Sequence, residues 1–378
     1  MHLAQGARMV PFAGYEMPLQ YPTGILTEHL HTRAGAGLFD VSHMGQIQLR
    51  PRSGVVADAA LALERLVPAD ILSLKPGRQR YALFTNAQGG ILDDLMVANT
   101  GAALMLVVNA ACKRADLAHL IQHLSDACVI EPLFDRALIA LQGPGAEAAL
   151  AALAPGAALM RFMDVQPLDI AGARCLVSRS GYTGEDGYEI SMEAADAARI
   201  ATLLLSQPDV LPVGLGARDS LRLEAGLCLY GTDLDIETTP VEAALDWSIG
   251  KSRRTGGIRE GGFPGAPIIL SQLQHGAGRR RVGLLPEGRA PLRAGTRLFT
   301  GGDSAGGDFT TGAVGQVTSG AFGPSLAAPM SMAMVQAASA APGTLLTAEL
   351  RGRPVAVRVA SLPFIAAGFK RTSGSTAA

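Results

Sequence analysis

The sequence predicts an α+β chain of several domains that closes with an all-β barrel. Three observations lead there. A chain of 378 residues exceeds what one compact core usually holds. Its earlier part mixes strand-length apolar runs with helix-period stretches in no repeating βαβ order. From Arg279 onward, short strand candidates recur at even spacing.

Taken in order, GQIQLR (45–50) alternates like a half-buried strand. SGVVADAALALERLV (53–67) follows with helical periodicity behind a candidate Ser53 cap. RYALFTN, ILDDLMVAN and AALMLVVN are then three strand-length runs, the first two joined by the turn QGG as a hairpin. ACKRADLAHLIQHLSDA (111–127) reads as a second amphipathic helix and ALIALQG (137–143) as a strand. ARCLVSR and GYEISM repeat the strand pattern before the helix ADAARIATLLLSQ (195–207), and GLGARDSLRLEAG (214–226) is helical up to Gly226. Residues 250–278 read as an irregular connection. TRLFT, GAVGQVTSG, MSMAMVQA, TLLTAEL and VAVRVASLP then supply the barrel strands.

Composition narrows the function classes. Hydrophobic residues at 48% against 17% charged provide real cores and exclude global disorder. With 32 basic and 33 acidic residues, no net field draws the chain to nucleic acid or to an anionic membrane. Cys112, Cys128, Cys175 and Cys228 are scattered with no CxxC pair, so neither a metal site nor a disulfide framework is expected, and a reducing cytoplasm suits them. MHLAQGARMVPFAGYEMP carries no apolar export region, which fits a cytoplasmic bacterial protein. The uncharged stretch Phe309–Ala348 is broken by Gly323, Pro324, Pro329 and Pro342 and reads as strands and turns rather than a membrane span.

Generic motifs add little. GLGARDS lacks the spacing of a phosphate loop, and neither GxSxG nor HExxH occurs. In ILDDLMV, strand alternation sends Asp93 and Asp94 to opposite faces, so only one of them faces a given pocket. Glu189 is a lone strand glutamate, a type usually found on a solvated face. Arg218 and Arg222 lie one helical turn apart, and Asp219 is placed to pair with Arg222 on a salt-bridged helix surface. The run Arg279-Arg280-Arg281 reads as a solvated face or a patch for an acidic partner. His43 has no second ligand near it in sequence, so no metal is expected there.

The longer strings are more specific. MVPFAGYEMPLQY (9–21), HLHTRAGAGLFDVSHM (29–44), LFTNAQGGILDDLMV (83–97), LVVNAACKRADL (106–117), IALQGP (139–144), GYTGEDGYEI (181–190), the run from Gly214 to Trp247, RRRVGL (279–284), VTSGAFGPSL (317–326) and LPF (362–364) follow in one order. Together they resemble the glycine cleavage T-protein family over nearly the whole chain.

The resemblance implies a multi-domain cloverleaf around a folate channel. Residues 1–265 form its folate-binding region in two α+β units, with 51–136 as the second; a barrel spans 279–366 and a disordered tail 367–378. It implies an aminomethyltransferase that passes the carbon of an aminomethyl-dihydrolipoyl H-protein to tetrahydrofolate. The products are methylenetetrahydrofolate, ammonia and dihydrolipoyl H-protein. Partners are the H-protein and other glycine cleavage components. The same resemblance selects Asp94 as the catalytic aspartate and places Glu189, Arg218, Tyr182, Asn109, Met44, Trp247 and Arg281 around the folate. Phe369 stands where the family usually has a tyrosine, and the chain opens later than the family commonly does. The folate domains of dimethylglycine and sarcosine oxidation are an alternative, but no dinucleotide fingerprint of a fused flavin domain occurs. A folate-binding iron–sulfur maturation factor is another; its KGCYxGQE-type string is replaced by AGLCLYGTD.

Overall fold

Strand alternation sorts the side chains into layers. The computed structural model describes residues 1–300 and 312–371. A six-stranded sheet runs in the order Val165–Ile170, Ala173–Ser178, Gly187–Glu193, Arg136–Gln142, Ala36–Asp40, Val210–Pro212. A five-stranded sheet runs Arg78–Thr85, Ile91–Asn99, Leu104–Val108, Gly45–Pro51, Cys128–Pro132. In the first sheet Ala137, Ile139 and Leu141 enter a core with Tyr188, Ile190 and the helix Ala194–Leu205, while Leu138 and Ala140 face the helix Leu215–Glu224.

The five-stranded sheet starts earlier than the boundary at 51 read from the sequence. Gly45–Pro51 is one of its inner strands, paired on both sides. A side chain at Gly45 would lie 2.5 Å from Lys113 Cβ, so glycine lets the helix Lys113–Leu124 settle on the sheet there. The expected hairpin forms in the register Leu83↔Asp94. Two expectations change. Ser53 does not cap the helix, which begins at Val56; its hydroxyl instead accepts the Val55 N–H at 3.2 Å and donates to Asp58 at 2.6 Å. The connection over 250–278 is not wholly irregular, because Ala266–His275 is a helix bounded by positive-φ glycines at 265 and 276.

The barrel closes in the order Arg279–Pro286, Ala328–Gln336, Ala313–Gly323, Arg297–Thr300, Leu345–Leu350, Arg353–Ala360. Val282, Leu284, Val317, Val335, Leu346 and Val357 fill it. No described helix is long and apolar enough to cross a membrane. The expected disordered tail falls partly on residues 372–378, which lie outside the described residues.

Two buried polar knots attach the barrel to the rest. Arg222 is not on a salt-bridged surface as expected; it is buried, pairing with Asp219 at 2.8 Å and Asp233 at 2.7 Å and donating to Ser319 Oγ of the barrel at 2.9 Å. Asp233 also accepts from Ser319 Oγ and Thr318 Oγ1. Two residues on, the buried Glu224 carboxylate takes His29 Nε2 at 3.0 Å, Arg33 Nη2 at 2.9 Å and the Ser325 N–H at 2.8 Å. Those donors outweigh the cost of burial and hold its pKa down at about 2.

Candidate active site

The strand Ile91–Asn99 sets the floor of the site. Asp93, Leu95 and Val97 are buried, whereas Leu92, Asp94 and Met96 are half-buried on the opposite face. Asp94 therefore shares its face with Met96, which lines the cavity between the sheets. Its Oδ2 accepts from Tyr81 Oη at 3.1 Å, and its Oδ1 accepts from Asn109 Nδ2 at 2.8 Å. Burial, reinforced by the nearby Asp93 charge, raises its pKa to about 7. Such a group exchanges a proton near neutrality, which an ordinary surface aspartate does not.

Asn109 reaches this position because its strand continues the register Met96↔Val107, bringing it opposite Asp94. Its Nδ2 also donates to Asp93 Oδ1 at 2.8 Å, and its backbone N–H donates to Asp93 Oδ2 at 3.0 Å. With the amide hydrogens so engaged, only its carbonyl oxygen remains for a ligand, as an acceptor.

The opposite wall comes from the six-stranded sheet and the helix Leu215–Glu224. Glu189 is half-buried, with Ser180 Oγ donating to its Oε2 at 2.8 Å. Arg218 lies over the Tyr182 ring, 4.7 Å from its centroid, and among the described residues it makes no ion pair. Burial lowers its pKa, opposed by Tyr182 and Glu189, which places the three in one electrostatic group. Tyr182 Oη donates to the Cys228 carbonyl and also feels Asp94. Between the sheets, Met96, Met105, Val107, Leu138, Ser178 and Glu189 line a cavity. Met44 and Val107 both pack against the core that Leu138 shares with Phe39, Val41 and Leu221.

Not every expected residue joins this cluster. Trp247 is 64% exposed and touches it indirectly, its ring 5.2 Å from that of Tyr81. Arg281 is buried, but it donates to the carbonyls of Ala243 at 2.8 Å and Gly226 at 2.9 Å, tying the barrel to the chain just after the Arg218 helix. Phe369 stacks on Phe162 at 4.0 Å, and its other described ring contact is Arg371. Neither contact lies in the Asp94 group.

Sequence reading missed several neighbours. Tyr81 shares the face of Asp94 by alternation, the one signal that was available. Asp116 and Cys112 sit behind Asp93, both with raised pKa values from burial and the Asp93 charge. His43 is buried between Phe12 and Tyr15, its pKa lowered to about 4 by burial and by Arg218. Among the described residues no group of His, Cys, Asp and Glu is arranged to hold a metal ion.

Comparison with known proteins covers most of the chain. A family model described as the GCVT N-terminal domain matches residues 1–253, and one described as the glycine cleavage T-protein C-terminal barrel domain matches residues 279–365. A mitochondrial aminomethyltransferase of Dictyostelium discoideum is 42% identical over 98% of this chain and 92% of its own. The human mitochondrial aminomethyltransferase is 43% identical over 96% of this chain and 88% of its own. The crystal structure of the glycine cleavage system aminomethyltransferase T from Bartonella henselae superposes with a TM-score of 0.88 at 42% identity, covering 98% of this chain and 97% of that one.

Proposed function

The chain belongs to the glycine cleavage T-protein family and is an aminomethyltransferase, and from that premise we propose that Asp94 is the residue around which its one-carbon transfer is organised. The donor is the aminomethyl group on the dihydrolipoyl arm of the H-protein, and the acceptor is tetrahydrofolate. The carbon exchanges its bonds to the donor's nitrogen and sulfur for two bonds to folate nitrogens. The two protons released from those nitrogens end on ammonia and on the lipoyl thiol.

Two demands follow: stabilising an iminium-like carbon, and moving protons close to neutral pH. A half-buried carboxyl held between Tyr81 and Asn109, with its pKa raised to about 7 by burial, meets both, and this placement of Asp94 carries the reading. Tyr81 and Asn109 fix its two oxygens, so it needs little reorganisation when charge develops. Glu189 and Arg218 are assigned to the pterin. A carboxylate receives adjacent N–H donors side by side, and a guanidinium without an ion pair is free to donate to a ring carbonyl. Tyr182, Met44 and Trp247 are assigned to the walls. The four free cysteines suit a reducing compartment, and we place the reaction in the cytoplasm.

Purified protein, H-protein charged with the aminomethyl group, and tetrahydrofolate make the test. Ammonia release requiring both charged H-protein and tetrahydrofolate is the expected result. Methylenetetrahydrofolate formed instead from sarcosine or dimethylglycine with an added electron acceptor, and no ammonia release from charged H-protein, would overturn the donor assignment.

A further inference from the structure

Behind Asp94 the structure buries two more carboxyl groups that the reaction does not touch. Asp93 is fully buried and Asp116, from the helix Lys113–Leu124, nearly so, and the two lie within hydrogen-bonding reach of each other. Their surroundings differ. Asp93 receives the Asn109 N–H at 3.0 Å and the Asn109 amide at 2.8 Å. Asp116 Oδ2 is buried with no protein donor aimed at it. A buried carboxyl oxygen without a donor is satisfied when it carries the proton itself and gives it to a neighbouring acceptor. Asp93 is that acceptor, so the geometry sorts the pair into a neutral acid at Asp116 and an anion at Asp93.

Asn109 then connects the anion to the site. Its one amide nitrogen donates to Asp93 Oδ1 and to Asp94 Oδ1, both at 2.8 Å. Turned the other way, its carbonyl oxygen would face both carboxyl groups, which fixes the orientation. We propose that Asp116 and Asp93 form a pair with one proton and one charge, clamped behind Asp94 by Asn109, which makes Asp116 a positioning residue controlling the protonation of Asp94. The proposal rests on Asp94 being the acting carboxyl.

The directions of the pKa shifts agree. Burial raises all three carboxyls; at Asp93 the hydrogen bonds from Asp116 and Asn109 oppose it, and the Asp93 charge raises Asp116 and Asp94 further. The other ionisable groups around Asp94 are Tyr81 from its own sheet, Tyr182 from the loop before Gly187–Glu193, Cys228 from the segment after the Arg218 helix, and Cys112 beside Asp116. Burial raises the pKa of each, so all four are neutral when Asp94 titrates. Beyond burial, the charge that acts on Asp94 is therefore that of the pair.

Two measurements test this. The first is the pH profile of kcat/KM, which reports the free enzyme. Asp116→Asn still offers an N–H to Asp93 and should leave the acid-side inflection in place. Asp116→Leu removes the donor, so Asp93 takes up a proton and its charge is lost. The inflection should then move to lower pH by about one unit or more. A fall in rate with an unmoved inflection would show a purely structural role and overturn the proposal. The second needs no activity: the infrared band of a protonated carboxyl at neutral pH, recorded in Asp94→Asn protein with and without Asp116→Asn. The band should be present in the former and absent in the latter. Its persistence after Asp116→Asn, or its absence from both, would overturn the pair even where Asp116→Leu does not fold. Failure of the Asp94 assignment would instead appear as full turnover by Asp94→Asn, with this band unaffected.

Discussion

Arg218 and Arg222 stand one turn apart on the same helix, and their surroundings are opposite. Arg222 is buried, with carboxylates from Asp219 and Asp233 and the Ser319 hydroxyl on its guanidinium. Arg218 has a tyrosine ring beneath it and no ion pair among the described residues. The comparison extends to their neighbourhoods. The knot at Arg222 and Glu224 is saturated with internal partners, whereas around Arg218 and Glu189 hydrogen-bonding capacity is left over. Saturated polar groups hold the barrel in place; unsaturated ones await a ligand.

Substitutions break that comparison in order of size. Asp233→Ala leaves the buried Arg222 charge with only the half-exposed Asp219 carboxylate and should cost about 3 kcal/mol of stability, the lower end for breaking a buried pair, read from urea denaturation. Replacing both partners by apolar residues of similar volume should recover most of the loss, and a cost below about 1 kcal/mol for Asp233→Ala would show that the knot is not what holds the barrel. Arg218→Ala should be the mirror image. Its denaturation midpoint should hardly move, while calorimetry shows tetrahydrofolate affinity falling by roughly 2–4 kcal/mol, with Glu189→Ala behaving alike.

The pH dependence of stability sharpens the same contrast. The folded pKa of Glu224 lies near 2, below its ordinary 4.5. Its stabilisation is thus fully present above about 4.5 and is lost as pH falls toward 2. Denaturation midpoints of Glu224→Gln measured across that window should lack about 1–2 kcal/mol of the parent's acid-side decline. A parallel decline in both proteins would remove Glu224 from the knot. The smallest effect is expected at Phe369. Because its ring is already stacked on Phe162, Phe369→Tyr should change folate affinity by about 1 kcal/mol at most. A larger change would place the ring in the site after all.

How far the sequence revealed these roles depends on how far away each residue's partners are. Alternation within one strand separates Asp94 from Asp93 but does not choose between them, which the family resemblance did; the hairpin and barrel strands were legible from local pattern. Arg222 was misread as a surface group because its near partner, Asp219, is three residues off, whereas Ser319 is 97 residues away. Asp116 and Asn109 belong to different elements from Asp93, and only folding brings the three together. The helix Ala266–His275 went unread because the glycine-rich runs on either side of it dominate the local pattern.

The most direct test of the functional reading is a pair of measurements on Asp94→Asn: steady-state ammonia release and tetrahydrofolate binding. Tyr81 and Asn109 hold a group of that shape in either form, so folding and folate affinity should stay near those of the parent. Turnover should fall on the order of 100-fold or more, the scale for losing one preorganised electrostatic group. Turnover close to the parent's, or a loss explained wholly by weaker folate binding, would contradict the assignment of Asp94 to the transfer step.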